Sequence, residues 1–132
     1  MSGMSYRDDD EIMETFVQEM QNRLDEMEGG LTGLAPGTAP DRETVDGVFR
    51  AAHSLKASAN LLQFQNIEAV THGVETVLDA MRSGLLVPGE QTLAALTHCL
   101  DTLHFLLDDL EASDEADVSA PLADIEQAGG AA

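Results

Sequence analysis

Positively charged residues are scarce in this sequence. Its 132 residues include 25 Asp and Glu but only 6 Lys and Arg, which gives a formal net charge of −19. Nucleic acids and anionic membranes both require basic protein surfaces, so this balance argues against either as a partner. It favours a partner protein whose own surface is basic or amphipathic.

Cysteine, aromatic residues and long apolar runs are also scarce. Cys99 is the single cysteine, which excludes an internal disulfide framework and is typical of a reducing cytoplasm. No apolar run approaches the ~20 residues of a membrane span, and no signal-peptide pattern opens the chain. We therefore expect one soluble cytoplasmic domain, whose core consists mainly of aliphatic side chains and methionine.

Apolar residues recur every three or four positions, as on one face of an amphipathic helix. This period predicts four helices, at about 8–34, 41–62, 66–82 and 90–111, and a weaker pattern predicts a short fifth helix around 122–127. No segment alternates with period two, which argues against a sheet. The prediction is an all-α fold, an antiparallel up-and-down four-helix bundle with a short fifth C-terminal helix.

This bundle is predicted to occupy residues 1–128. The remaining residues, 129–132, have the sequence Gly-Gly-Ala-Ala and are predicted to begin a linker.

The only lysine of the chain, Lys56, lies one helical turn after His53, and Arg50 lies one turn before it. The apolar stripe of the second predicted helix is centred roughly 130° away from His53 on a helical wheel. His53 is therefore expected on the exposed flank of this helix. The small residues Ser54 and Ala57 beside it leave room for another protein to approach.

The third predicted helix brings two further polar residues to this flank. A short turn near residues 63–65 makes the second and third helices an antiparallel hairpin, in which residues equidistant from the turn are neighbours. His53 is about ten residues before the turn and Glu75 about eleven after it, and Lys56 and His72 are also nearly equidistant. Because His72 and Glu75 are three residues apart, they share one side of their helix.

These four side chains would suit a histidine that accepts a phosphoryl group. A carboxylate that accepts the Nδ1–H of a neutral imidazole fixes the ring and leaves Nε2 bare and more basic. Lys56 and Arg50 would offset the charge of the phosphoryl group. The residues alone support equally well a Glu75 that forms only a solvated ion pair, worth ~0–1 kcal/mol.

The segment Phe49–Lys56 (FRAAHSLK), with Thr71-His72, Glu75 and Leu78-Asp79, resembles the histidine phosphotransfer (HPt) domain at the N-terminus of CheA-type chemotaxis kinases. The likeness runs in register from the first predicted helix to about Gly84, and more loosely beyond it. It implies that an ATP-binding kinase domain phosphorylates the histidine, which then passes the phosphoryl group to an aspartate of a response regulator.

By position, the resemblance makes His53 the phosphoacceptor and Glu75 the residue that orients its imidazole. Lys56 would meet the phosphate charge, and His72 would complete the hydrogen-bond network. The implied partners are the kinase's ATP-binding domain and a CheY-like receiver domain, with a CheB-like methylesterase as a further candidate. The domain itself would bind no cofactor, because ATP and Mg²⁺ are supplied at the kinase domain and Mg²⁺ again at the regulator.

The chain departs from the family pattern after Lys56. Ala57 and Ser58 stand where the family usually has glycines, and Asn60 and Gln63 also replace residues that are often glycine. Ala57 and Ser58 lie where a docking regulator would contact the helix, so partner choice and transfer rate are the properties that this departure affects. The predicted partner-binding surface comprises Arg50, Ser54, Ala57, Ser58 and Asn60.

Neither a metal site nor ATP cleavage is expected. His98 and His104 are six residues apart and face different ways, and the chain has no Gly-rich phosphate-binding loop. The domain would be the phosphoacceptor part of a histidine protein kinase. Two alternatives stay open: a stand-alone HPt shuttle in a multistep relay, and a helical adaptor that carries no phosphate.

Overall fold

A computed structural model describes residues 8–129, and every regular element in this range is helical. The four long helices pack in a ring, in which α1 contacts α2 and α4, and α3 contacts α2 and α4. The predicted all-α bundle with a short fifth helix is confirmed. The elements are α1 (Asp10–Leu31), α2 (Arg42–Leu62), α3 (Gln65–Arg82), α4 (Glu90–Asp108), a 3₁₀ segment (Leu110–Glu115) and α5 (Ser119–Ala128).

The helix starts follow the capping signals of the sequence. Asp41 is the N-cap of α2, and its carboxylate accepts the N–H of Thr44 at 3.2 Å. Asp9 caps α1 in the same way and accepts the N–H of Glu11 at 2.9 Å. The short α5 packs against both α3 and α4.

Two helices end about three residues earlier than their periodicity predicts. α1 stops at Leu31, because Gly29 and Gly30 weaken its last turn. α4 stops at Asp108, because Asp109 leaves the helical region at φ −143° and ψ 79°. The acidic residues that follow are in the 3₁₀ segment that begins at Leu110.

The predicted apolar stripes form the core. All six residues of the α2 stripe are buried: Val45, Val48, Ala52, Leu55, Ala59 and Leu62. Cys99 is also buried, and burial and the charge of Asp124 raise the pKa of its thiol to about 12. A thiol with so high a pKa is a packing residue and not a nucleophile at neutral pH. Phe16 and Phe64 stack inside the core with ring centroids 5.4 Å apart.

Gly73 and Gly47, both inside helices, have different surroundings. A Cβ built at Gly73 would lie 2.7 Å from Cγ2 of Ile125, so only glycine lets α5 approach α3 this closely. A Cβ at Gly47 would meet no atom within 4 Å. The helix-propensity cost of Gly47, about 1 kcal/mol, therefore has no compensating close contact.

The tight turn between α2 and α3 sets the geometry of the site. Gln63 ends α2 in the left-handed conformation, at φ 63°. The N–H of Phe64 donates to the carbonyl of Ala59 at 2.9 Å, which closes the turn. The two helices therefore run antiparallel and in contact along their lengths.

The predicted linker residues 130–132 lie outside the described range, and Gly129 ends α5. Within residues 8–129, no helix is both long enough and apolar enough to cross a lipid bilayer.

Candidate functional site

A single carboxylate on α3 joins the two key side chains of α2. Nδ1 of His53 lies 2.5 Å from Oε2 of Glu75, and Nζ of Lys56 donates to Oε1 of the same residue at 2.5 Å. Each carboxylate oxygen therefore has its own partner. The hairpin brings together three of the four residues that the sequence placed on this flank.

Exposure increases from the carboxylate outward. The side chain of Glu75 is only 11% exposed, whereas that of Lys56 is 25% exposed and that of His53 is 61% exposed. The buried carboxylate thus holds an imidazole that solvent and other proteins can reach. Among the contacts found in residues 8–129, none engages Nε2 of this ring.

The charge state of Glu75 fixes the tautomer of His53. Burial acts to raise the pKa of Glu75, but hydrogen bonds from Lys56 and His53, together with their positive charge, outweigh burial and lower it. The carboxylate is therefore ionised at neutral pH and can only accept hydrogen bonds. Nδ1 of His53 must then carry the proton in this contact, which leaves the Nε2 lone pair bare in the neutral ring.

Aromatic and cationic contacts that the sequence did not predict also lie beside this imidazole. The rings of Phe49 and His53 are stacked, with centroids 6.2 Å apart and planes at 12°. The guanidinium of Arg82, at the end of α3, lies 3.8 Å from the centroid of Phe49. Phe49 and His53 are four residues apart, so their contact on one face of α2 could have been predicted from the sequence. Nothing in the local sequence pairs Phe49 with Arg82.

His72 stands one turn before Glu75 on α3 and is exposed. Its backbone carbonyl accepts the hydroxyl of Thr76 at 3.0 Å, but in the described part of the chain its imidazole forms no hydrogen bond with Glu75 or His53. Its membership of the hydrogen-bond network stays a prediction.

The predicted partner-binding residues surround His53 on α2, and all of them reach the surface. Four are exposed, and Ser58 is half-buried. Asn60 donates to Oε2 of Glu68 at 2.7 Å. Ser54 and Ser58 line one side of a groove of about 210 Å³ between α1 and α2, and Arg23 lines the other side.

Ser58 also borders a second groove between α1 and α2, of about 540 Å³, whose rim carries Leu61. Leu61 is 63% exposed, although its stripe neighbour Leu62 is buried. Neither Arg23 nor Leu61 was predicted from the sequence. Arg23 lies on α1 and Leu61 on α2, and both border the grooves between these helices, which periodicity alone does not mark as a surface.

Two other histidines contact carboxylates, in a different setting. Nδ1 of His98 lies 2.7 Å from Oδ2 of Asp124, and Nε2 of His104 lies 2.8 Å from Oε1 of Glu28. Both carboxylates are exposed, and no lysine or arginine among the described residues shares either of them. His53 differs from both because its carboxylate is buried and paired with a cation. No group of three or more metal-binding side chains occurs within residues 8–129.

A helical bundle that carries an oriented, exposed histidine on its outer surface has the architecture of histidine phosphotransfer domains. The Hpt domain model matches residues 11–105, a span that includes His53, Lys56 and Glu75. The chain belongs to this family, and the resemblance noted in the octapeptide is confirmed.

The curated relatives are chemotaxis proteins. The chain is 40% identical over 96 residues to the chemotaxis protein CheA of Rhizobium meliloti, a match that covers 73% of the chain and 12% of that protein. It is 31% identical over 110 residues to CheA of Salmonella typhimurium, covering 83% and 16%. It is 32% identical over 100 residues to CheA of Borreliella burgdorferi, covering 76% and 12%. The matches therefore span 12–16% of the length of these relatives.

Proposed function

We propose that this domain is the phosphoacceptor of a chemotaxis histidine kinase. His53 accepts a phosphoryl group from an ATP-binding kinase domain and passes it to an aspartate of a response regulator. The observation that carries the proposal is the buried carboxylate of Glu75, which contacts both Nδ1 of His53 and the ammonium of Lys56 at 2.5 Å. The similarity to CheA proteins supports the chemotaxis setting.

In the first transfer, the Nε2 lone pair of His53 attacks the γ-phosphorus of ATP. The Nε2–P bond forms while the bond between this phosphorus and the bridging oxygen breaks, and ADP leaves with that electron pair. The imidazole becomes positively charged as it loses electron density, and the carboxylate of Glu75 stabilises this charge through Nδ1–H. In the second transfer, a carboxylate oxygen of the regulator attacks phosphorus and the electron pair returns to Nε2.

Lys56 would stabilise the phosphorylated form of His53. A phosphoryl group adds roughly −1.5 to −2 charges at neutral pH, in a chain whose formal net charge is already −19. Lys56 lies one turn along the same helix from His53 and keeps 25% of its side chain exposed. Its ammonium can therefore turn from Glu75 toward a phosphoryl oxygen without crossing the protein interior.

The partners we propose are the ATP-binding domain of a histidine kinase, a CheY-like receiver domain and a CheB-like methylesterase. Their contact surface would be the outer face of α2 around His53, formed by Arg50, Ser54, Ala57, Ser58 and Asn60. In support, two of these residues line the 210 Å³ groove between α1 and α2, which offers a partner both polar and apolar contacts. ATP and Mg²⁺ would be supplied by the kinase domain, and Mg²⁺ again by the regulator.

The test is phosphorylation by the kinase domain of the Rhizobium meliloti CheA protein with ATP labelled at the γ-phosphate. We expect acid-labile, base-stable label on the parental domain and none on His53→Gln. His98→Gln and His104→Gln are matched controls, since both histidines also contact a carboxylate, and both variants should keep the label.

Label that survives His53→Gln would overturn the assignment of the phosphoacceptor. Label that comes from a phosphorylated receiver domain, but not from the kinase, would identify a stand-alone shuttle. A parental domain that takes label from neither source would be an adaptor without phosphate.

A further inference from the structure

Three side chains beside the site, His53, Phe49 and Arg82, form a cluster around the ring of Phe49. The imidazole of His53 stacks on the ring of Phe49, with centroids 6.2 Å apart and planes at 12°. The guanidinium carbon of Arg82 lies 3.8 Å from the centroid of the same ring. Nε of Arg82 donates to Oδ1 of Asp79 at 3.1 Å, which holds the guanidinium at this position. Both centroid distances lie within the ranges of favourable aromatic and cation–π contacts.

The hydrogen bond to Glu75 does not by itself fix the imidazole. The imidazole turns about χ1 and χ2, and a single hydrogen bond at Nδ1 tolerates a range of both angles, while 61% of the His53 side chain is exposed. A change in these angles changes the direction of the Nε2 lone pair. An aromatic ring stacked beside the imidazole, offset and nearly parallel to it, narrows this range.

Phe49 can supply such a contact because its own ring is held in place. It is half-buried and packs against the hydrophobic core, and it precedes His53 by one helical turn on α2. The guanidinium of Arg82, from α3, packs over the same ring. The cluster is thus a second link between α2 and α3, in addition to the link that Glu75 provides.

We infer that Phe49 is a positioning residue for phosphotransfer and that Arg82 acts through it. Phe49 sets the plane of the His53 imidazole, so that Nε2 is directed toward the incoming phosphorus. Neither residue contacts the phosphoryl group in this arrangement. The inference rests on the proposed role of His53 as phosphoacceptor.

The first experiment uses phosphoramidate, a small phosphoryl donor that needs no kinase. Nε2 attacks phosphorus, the P–N bond breaks and ammonia leaves, and mass spectrometry follows the phosphate on His53. We expect Phe49→Leu, which keeps an apolar side chain but loses the ring, to slow this reaction about three- to tenfold. Phe49→Tyr should restore it to within about twofold of the parental rate, because the ring is kept. Phosphorylation of His98 in the same samples is the internal reference.

A double-mutant cycle tests the dependence on Arg82. Arg82→Gln should slow the reaction about two- to fivefold alone, and should add nothing to Phe49→Leu. If Arg82 acted only through its charge, its loss would slow both backgrounds equally. Arg42→Gln removes a cation from the first turn of α2, seven residues before Phe49, and should leave the rate at the parental value.

Nuclear magnetic resonance gives a readout that does not depend on phosphorylation. The carbon-bound protons of His53 should show a ring-current shift in the parental protein that disappears in Phe49→Leu and persists in Phe49→Tyr. Parental rates and unchanged His53 resonances in Phe49→Leu would overturn the inference. A parental protein that shows the ring-current shift but takes no phosphate from a kinase or from phosphoramidate would instead overturn the proposed function.

Discussion

Replacing Glu75 with glutamine should slow phosphorylation of His53 about 10- to 100-fold without unfolding the bundle. The parental carboxylate accepts one hydrogen bond on each oxygen, from His53 and from Lys56. An amide of the same shape has only one acceptor oxygen, and its NH₂ group can only donate. At least one of the two contacts is therefore lost, together with the negative charge.

The magnitude follows from the kind of contact. A hydrogen bond to a charged group contributes about 1.5–3 kcal/mol. The transition state, in which the imidazole is charged, should lose stabilisation of about this size in Glu75→Gln. Because each ~1.4 kcal/mol corresponds to a factor of ten in rate, phosphorylation should slow about 10- to 100-fold. The fold should survive, because Lys56 is 25% exposed and can place its ammonium in water instead.

The assay is the initial rate of kinase-dependent phosphorylation, with thermal unfolding as the check on the fold. The nitrogen chemical shifts of His53 should also show that the Nδ1–H tautomer is lost in Glu75→Gln. Asp124→Asn is the matched control, because it removes the carboxylate that contacts Nδ1 of His98 and should leave His53 unaffected. A parental rate and an unchanged tautomer in Glu75→Gln would refute the orienting role of Glu75.

Three further predictions concern stability. Folding lowers the pKa of Glu75 from its ordinary value of 4.5. The contribution of this carboxylate to the free energy of unfolding is therefore complete above pH 4.5 and is lost as the pH falls through the lower pKa of the folded state. The difference in Tm between the parental protein and Glu75→Gln should therefore shrink below pH 4.5, and a constant difference would contradict this. Gly47→Ala should stabilise the protein by about 0.5–1 kcal/mol in denaturant unfolding, since the site is open. Gly73→Ala should destabilise it by about 1–2 kcal/mol through Ile125, and equal effects of the two substitutions would disprove this packing argument.

The helices were predictable because their signals are local. The α2 bounds follow from Asp41, an N-cap residue, and from an apolar stripe that ends at Leu62. The ends of α1 and α4 were predicted too late, because apolar residues at Leu34 and Leu110 continue the period beyond the last helical hydrogen bond. Periodicity records which residues face the core, and it does not record where the backbone leaves the helix.

Most of the site could be predicted from the hairpin that α2 and α3 form. A turn of two residues forces α2 and α3 to be antiparallel neighbours, so counting from the turn was sufficient to place Glu75 beside His53. The same count placed His72 beside Lys56, but its imidazole makes no contact with Glu75. A count along two helices gives positions along their axes, whereas contacts also depend on helix rotation and on side-chain rotamers.

The sequence by itself determined the all-α bundle, the exposed histidine with its single neighbouring lysine, and the family. These properties depend on residue spacing within helices and on one short turn. Only the tertiary structure decided that Glu75 is buried and bonds to both His53 and Lys56. Only the tertiary structure also showed that Arg82 covers Phe49 beside the imidazole, because that contact depends on how α3 is rotated and how far a long side chain extends across it.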